Sequence, residues 1–318
     1  MEIGAANPSP AAYPACPVTG KPAVRLVQWV NVGFLVSLWR IIFKVDARSS
    51  FGRQERVGLW ESPTGLYFFD PPLEGDHAFY TQFYEFVLKR KLWSKDSIRR
   101  EFELAARVIR PRDRVLDVGC GFASFRRVIP EANYVGLDPH FAGHGDAAGV
   151  SSQTLREHLD AHAGTYDVVC AFQVIEHLKS PTAIFAEMVR AARPGGYVIV
   201  GVPHVPSALT RIPNFVPNAP PHHLTWWTEA ALRALAEGEE TVVETIAHAE
   251  WNATDSFLYW VERCSPIRCV DLHFCDRWSW HAALVAGFLA GRMLYVINKV
   301  PRTKDEGGSL LMFARRMS

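Results

Sequence analysis

At 318 residues, 48% of them hydrophobic and ten of them tryptophan, the chain carries enough apolar material for one large α/β domain with additions, or for two average domains. A formal net charge of +1 excludes a general electrostatic pull toward nucleic acid or an anionic membrane, and the basic residues form no stripe interleaved with aromatics. Six scattered cysteines, and a start (Met1 to Ala5) without the basic and apolar regions of a leader, predict a reduced cytoplasmic protein.

Taken in order, residues 1–14 hold three prolines and several alanines and are expected to lack fixed structure. Cys16-Pro17-Val18-Thr19-Gly20 and Ser62-Pro63-Thr64-Gly65-Leu66 echo each other, each like half of a zinc knuckle whose thiols have mostly gone. One sulfur cannot hold a tetrahedral zinc, so the turns are expected to persist with aromatic packing in place of the metal. Two apolar runs, Val27 to Trp39 and Ala282 to Gly291, are closed by Arg40 and Arg292. Both fall short of the ~20 residues that cross a bilayer. They are predicted to be buried helices and not transmembrane segments, with a peripheral membrane contact left open. From Gly75 to Arg110, Phe79, Phe83, Phe86 and Val87, then Ile98, Phe102 and Val108, recur at helical spacing between charged residues. Cys264, Cys269, His273 and Cys275 cluster in sequence, but their spacing matches no common zinc knuckle, and packing is the expected role.

The centre of the chain alternates regularly. From Arg114 to Val118, the residues after the arginine form an apolar run interrupted only by Asp117, the pattern of a parallel strand buried on both faces, and Gly119-Cys120-Gly121 turns tightly after it. A second strand, Tyr134 to Leu137, delivers Asp138 at its end, the spacing of a βαβ unit that presents a carboxylate to a ribose. Further strands are predicted at Val150 to Leu155, Tyr166 to Phe172, Tyr197 to Val202, Thr241 to Ala249 and Ser309 to Ala314. Helices are predicted at Ser124 to Val128, from Ser180-Pro181 to Ala192, and at Thr228 to Glu237. The implied fold is α/β: a doubly wound, mostly parallel seven-stranded sheet. Residues 1–95 would form a helical or irregular cap, residues 96–318 the main domain, and residues 252–306 a helical insertion before the last strand. A nicotinamide dinucleotide competes for the glycine turn, but that site wants glycine or alanine where Ser124 stands and seldom carries an acid at the place of Asp117. The acid suits a ligand bearing a cationic amino group and a sulfonium.

Three motifs in register, Asp117-Val118-Gly119-Cys120-Gly121, then Phe172-Gln173-Val174-Ile175-Glu176-His177-Leu178, then Arg193-Pro194-Gly195-Gly196, resemble those of class I S-adenosylmethionine-dependent methyltransferases. They are similar to the ubiquinone-biosynthesis O-methyltransferase-like subgroup, over about Arg110 to Ala249 plus the last strand. The resemblance implies an enzyme with S-adenosylmethionine as cofactor and a small-molecule acceptor, methylated first of all on a hydroxyl oxygen. Methylation of nitrogen or carbon, or a cofactor-binding protein that serves a partner, are the alternatives. It also implies that the turn Gly119-Cys120-Gly121 approaches the methionine moiety, Asp117 anchors its amino group and Asp138 takes the ribose hydroxyls. Gln173 would line the pocket where cofactor meets acceptor. Ala123 replaces a third glycine. Many bacterial relatives carry Cys-x-x-Cys pairs where this chain has Cys16 to Thr19 and Ser62 to Gly65.

Catalysis leaves a fainter trace than cofactor binding, because in-line displacement from a sulfonium needs chiefly alignment. Pro220-Pro221-His222-His223 falls after the fifth strand, where similar relatives carry such a stretch over the acceptor. His222 or His223 is the expected base, with a pKa near the working pH. Some relatives hold magnesium through a Glu-His pair and an acid three residues earlier; here that position is Gln173, and no metal is expected. Asp70-Pro71-Pro72-Leu73 lacks the aromatic fourth residue with which DNA amino-methyltransferases stack a flipped base, and a turn is expected instead.

Overall fold

The computed structural model describes residues 13–90, 99–139, 149–298 and 307–318. The chain begins with β1 (Arg25–Asn31), α1 (Val32–Phe43) and α2 (Arg48–Phe51), followed by β2 (Arg56–Glu61), β3 (Tyr67–Asp70), α3 (His77–Lys89) and α4 (Arg100–Ala106). The central part holds β4 (Arg114–Val118), β5 (Asn133–Leu137), β6 (Val150–Ser151), α5 (Leu155–His162), β7 (Tyr166–Phe172), α6 (Pro181–Ala191) and β8 (Ala192–Pro203). Then come α7 (Ala208–Arg211), β9 (Thr225–Trp226), α8 (Glu229–Glu237), β10 (Thr241–His248), α9 (Ala253–Cys264), α10 (Trp278–Asn298) and β11 (Ser309–Arg316).

Seven strands form one sheet in the order β10-β11-β8-β7-β4-β5-β6. Strands β4 to β8 are mutually parallel where they pair, and β11 runs antiparallel between β8 and β10. This is the doubly wound, mostly parallel sheet expected from the alternation, with the latest strand slotted second from one edge. Six of the seven residues of β7 are buried, as a central parallel strand requires. The order reverses beside β4, so the carboxyl ends of β4 and β7 open on the crevice where ligands of such sheets bind.

The local signals explain most boundaries. Pro181 opens α6 at a position where its missing N–H costs nothing. Asp76 caps α3 by accepting from the Phe79 N–H at 2.8 Å. The strand expected at Val150 to Leu155 stops at Ser151, because Thr154 and Glu157 form a reciprocal capping box that starts α5. The short helix expected at Ser124 to Val128 is a 3₁₀ turn.

Three expectations are corrected. The cap is not only helical or irregular: beside α1, α2 and α3, the strands β1, β2 and β3 make an antiparallel sheet, and β9, from beyond β8, adds its fourth strand. The run Val27 to Trp39 is not one helix, since Asn31 ends β1 and caps α1 by accepting from the Phe34 N–H at 2.9 Å. The run Ala282 to Gly291 belongs to a helix of 21 residues, α10, long and apolar enough to cross a membrane, and only 22% of its most apolar stretch is buried. Trp278 to His281 before the run, and Met293 to Asn298 after Arg292, extend it because none of these residues breaks a helix.

Residues 1–12 lie outside the described residues; of the segment expected to lack structure, Tyr13 packs its ring 5.1 Å from Trp60, and Pro14 accepts from the Ala23 N–H. The two echoing turns are both present: the Gly20 N–H donates to the Cys16 carbonyl at 2.9 Å, and the Gly65 N–H to the Ser62 carbonyl at 3.0 Å. In the second, the Ser62 hydroxyl accepts from the Leu66 N–H and pairs with the Thr64 hydroxyl. Cys16, Trp60, Leu66 and Phe68 sit in the same core as Leu116, Val169 and Trp227, so cap and main sheet are packed as one body.

Candidate active site

The site is built at the carboxyl ends of β4, β5 and β7. Gly119 and Gly121 both have positive φ, +68° and +52°, a conformation that costs a side-chain-bearing residue about 1–2 kcal/mol. The turn is pinned from below, since the Gly119 and Cys120 N–H groups donate to the Leu137 carbonyl at 2.7 and 3.1 Å. From the side, the Gly121 N–H donates to Asp138 Oδ2 at 2.9 Å. The acid at the end of β5 therefore reaches the turn after β4, as the βαβ spacing implies. A Cβ at Gly119 would meet Val174 Cγ2 at 2.6 Å, whereas one at Gly121 would meet nothing within 4 Å. Gly121 thus faces open space. Ala123 adopts a positive φ of +53°, so its replacement of glycine strains the backbone as well as adding a methyl group.

Asp117 is 3% exposed and accepts from the Tyr134 hydroxyl at 2.8 Å, with Cys170 Sγ 3.8 Å from its other oxygen. Burial pushes its pKa up to about 7, against the pull of these hydrogen bonds. Burial likewise raises the Cys120 thiol, which leaves it protonated and unreactive. Gln173, just past β7, also has a positive φ of +59°. Its N–H donates to the Gly201 carbonyl at 2.8 Å, and its amide donates to Glu101 Oε1 at 2.6 Å. Glu101 and Tyr134 are the residues that sequence reasoning missed. Glu101 was legible as an acid at a core position of a helix, buried beside Phe102 and Ala105; Tyr134 carried no such signal.

On the acceptor side the fold brings together three histidines. His177 follows β7, while His222 and His223 come from the long loop between β8 and α8. Their ring centroids lie 4.4 Å (His177 to His222), 4.9 Å (His177 to His223) and 4.7 Å (His222 to His223) apart. His222 is buried, 4.8 Å from the Phe83 ring and 6.1 Å from the Trp39 ring. His177 Nδ1 lies 2.6 Å from the His222 carbonyl. A carbonyl only accepts, so Nδ1 carries the proton and Nε2 the lone pair. Burial holds the pKa of His177 down to about 4 and those of His222 and His223 well below the ordinary value, with neighbouring imidazoles adding to the shift of the latter two. The expectation of a base poised near working pH is corrected accordingly: dehydration and mutual repulsion keep the pair neutral and weakly basic.

One ring nitrogen from each of these histidines lies within 4.8 Å of the others. Tetrahedral coordination by nitrogens at ~2.0–2.1 Å would set them about 3.4 Å apart, so the three rings would have to close on an ion. Glu176 lies beside them, fully buried, with neither carboxylate oxygen hydrogen-bonded and Oε1 3.8 Å from His177 Nε2. Burial pushes its pKa up to about 8. The expectation of no metal weighed Gln173 alone and did not foresee this donor set. Cys269 and His273, from the other cysteine and histidine cluster, are buried, and His273 Nδ1 is engaged with the Thr210 carbonyl at 2.9 Å.

The glycine turn, the acid on the neighbouring strand and the strand order together form a crevice at the place where open α/β sheets bind ligands. Residues 90–240 match the profile of a methyltransferase domain. The matched region runs from α4 to α8 and includes Asp117, Gly119, Gly121, Asp138, Gln173, His177, His222 and His223. The chain is 29% identical over 180 residues to the ubiquinone biosynthesis O-methyltransferase of Sodalis glossinidius, a match covering 50% of this chain and 63% of that protein. It is 33% identical over 97 residues to the protein of that name in Cronobacter sakazakii (27% and 40%), and 30% identical over 110 residues to an uncharacterised methyltransferase of Schizosaccharomyces pombe (28% and 40%). The matches therefore span between two fifths and under two thirds of these relatives. Among solved structures, an S-adenosylmethionine-dependent methyltransferase of Archaeoglobus fulgidus superposes at a TM-score of 0.45 with 18% identity, over 73% of this chain and 100% of that one.

Proposed function

We propose that the chain is a cytoplasmic S-adenosylmethionine-dependent methyltransferase that methylates a hydroxyl oxygen of a small-molecule acceptor. The observation that carries this reading is the turn Gly119 to Gly121, open above Gly121 and joined to Asp138 through the Gly121 N–H. The residues fit the cofactor: Asp138 offers a carboxylate at the end of β5 for ribose hydroxyls, and Gly121 leaves room for a close approach to backbone. Asp117, buried with a raised pKa, is a carboxyl that a cationic amino group nearby would ionise. Bound there, S-adenosylmethionine supplies an electrophilic methyl group on a sulfonium.

The chain's own residues then have three tasks. Gln173, held by Glu101 and the Gly201 carbonyl, fixes the wall between cofactor and acceptor. The aromatic residues Trp39, Phe79 and Phe83 exclude water around His222. His222 or His223, neutral at working pH, accepts the proton of the acceptor hydroxyl; with so low a basicity, that transfer accompanies bond formation rather than preceding it. Oxygen as the accepting atom is supported by the names of the ubiquinone relatives.

Calorimetry with S-adenosylhomocysteine tests the reading. Asp138→Ala removes charge-assisted hydrogen bonds worth about 1.5–3 kcal/mol and should weaken binding about ten- to a hundredfold. Wild-type affinity in both Asp138→Ala and Gly121→Val would refute it. Radiolabelled methyl transfer to phenolic and amine acceptors then separates oxygen from nitrogen.

A further inference from the structure

Beneath the glycine turn, neighbouring strands bring a cluster of protic side chains together. Asp117 lies on β4, Tyr134 on β5, Cys170 on β7 and Cys120 in the turn itself. The Tyr134 hydroxyl donates to Asp117 Oδ2 at 2.8 Å. Oδ1 is left with the Cys170 thiol, 3.8 Å away, a weak donor that also lies 3.4 Å from the Leu116 carbonyl. The crowding is tight: a Cβ at Gly136 would meet Cys120 Sγ at 2.7 Å and the Tyr134 hydroxyl oxygen at 3.0 Å.

A carboxylate taken out of water needs a counter-charge or strong donors to remain ionised. The groups bonded to Asp117 are a phenol and a thiol, both neutral. Burial keeps the phenol and both thiols protonated, so Asp117 is the member of the cluster whose charge changes near neutrality. Two more distant charges act on it in opposite directions: Arg99, ahead of α4, favours the carboxylate, and Asp138, at the end of β5, opposes it. With Oδ2 taken by the tyrosine, the acid proton of the neutral form belongs on Oδ1.

This inference rests on the reading of the turn as the S-adenosylmethionine site. We propose that Tyr134 is a positioning residue for the cofactor: by holding Oδ2 it fixes the Asp117 carboxyl with Oδ1 left for a cationic amino group, and binding expels one proton. The O–H bond of the acid breaks, the carboxylate keeps the electron pair, the ammonium keeps its own protons, and the expelled proton goes to buffer.

The test is calorimetry of S-adenosylhomocysteine binding in two buffers of different ionisation enthalpy, which counts the protons released. The wild type should release about one proton per ligand near ~pH 6 and almost none near ~pH 8, and Asp117→Asn should release none at either. Tyr134→Phe removes a donor to the carboxylate and should move the release profile up by about one pH unit. Its affinity should then fall about tenfold near ~pH 6 and only about twofold near ~pH 8, because the carboxylate is already formed at the higher pH. A tyrosine that serves only to brace β4 against β5 would lower affinity by the same factor at every pH. Equal apparent enthalpies in the two buffers for the wild type near ~pH 6, release that survives in Asp117→Asn, or a pH-independent loss in Tyr134→Phe would overturn the proposal. Should Tyr134→Phe fail to fold, the wild-type and Asp117→Asn proton counts decide. Binding without proton release removes this inference alone, whereas no binding at all removes the cofactor reading as well.

Discussion

The two glycines of the turn after β4 are predicted to fail differently when each receives one methyl group. Both sit at positive φ, so alanine at either place costs about 1–2 kcal/mol of backbone strain. A loss of unfolded-state freedom worth about 0.4–1 kcal/mol offsets part of it. At Gly121 nothing lies within 4 Å of the new Cβ, and Gly121→Ala should destabilise by no more than about 1.6 kcal/mol. At Gly119 the Cβ would come within 2.6 Å of Val174 Cγ2 and 3.1 Å of its other methyl. Val174 must move, and overpacking adds about 1–3 kcal/mol, for a total of about 1–4.6 kcal/mol. Binding should show the opposite bias: Gly121→Ala fills the open side of the turn and should weaken S-adenosylhomocysteine at least tenfold. Urea unfolding gives the first quantity and calorimetry the second. A Gly121→Ala protein that binds like the wild type, or one less stable than Gly119→Ala, would refute the assignment of structural and ligand-facing roles.

Other outcomes follow from the same geometry. Alanine at His222 or His223 should leave cofactor affinity within about twofold and lower turnover ~10²-fold or more for at least one of them; full activity of both single variants and the double variant would leave these residues as loop structure. The turns at Cys16 and Ser62 should hold no zinc, so elemental analysis should find the same metal content in wild type and Cys16→Ser, and a zinc lost in that variant would contradict the reading. Any metal that does co-purify should disappear in His177→Ala. Stability should also respond to pH through the buried groups. Glu176 keeps its proton in the folded chain up to about pH 8, so its contribution is full below the ordinary carboxylate range and is lost as pH rises through 8. The histidines act with the opposite sign, their contribution being lost as pH falls from about 6.5 toward 4. Relative to wild type, Glu176→Gln should therefore gain stability between pH 5 and 8, by up to ~1.4 kcal/mol per pH unit; a pH-independent difference would show that Glu176 is already ionised.

The elements legible from sequence were those whose pattern is local. β4 and β7 are nearly unbroken apolar runs with an acid or a glycine at their ends, and α6 announces itself with Ser180-Pro181. The turn-to-Asp138 contact was implied by spacing alone, because a βαβ unit leaves the ends of parallel neighbours side by side. What escaped depends on long-range pairing. β9 is two residues long and exists only because Tyr67 and Phe68 offer an edge. That His177 shares the carboxyl-end loops with His222 and His223 followed from the chain order, but the direct contact of their rings depends on a loop whose path no periodicity encodes. α10 reads as buried because its residues are apolar; the exposure is a property of what packs on it, among the described residues chiefly α9 against Gly287 and Gly291.

The pairing of β9 with β3 has a consequence for anyone who would reshape this protein. The segment carrying Pro221 and His222 is stitched to the cap on both sides: the Gly75 N–H donates to the Pro221 carbonyl, the Phe69 N–H to the Leu224 carbonyl, and the Trp39 indole N–H to the Pro220 carbonyl. Residues 13–90 are thus no detachable accessory. A truncation that begins at α4 would strip the histidine loop of its scaffold, and a chimera that borrows another cap would inherit a mismatched seam. Recombination of specificity in this architecture would have to exchange the cap and the loop between β8 and α8 together, as one heritable unit drawn from two distant stretches of the gene.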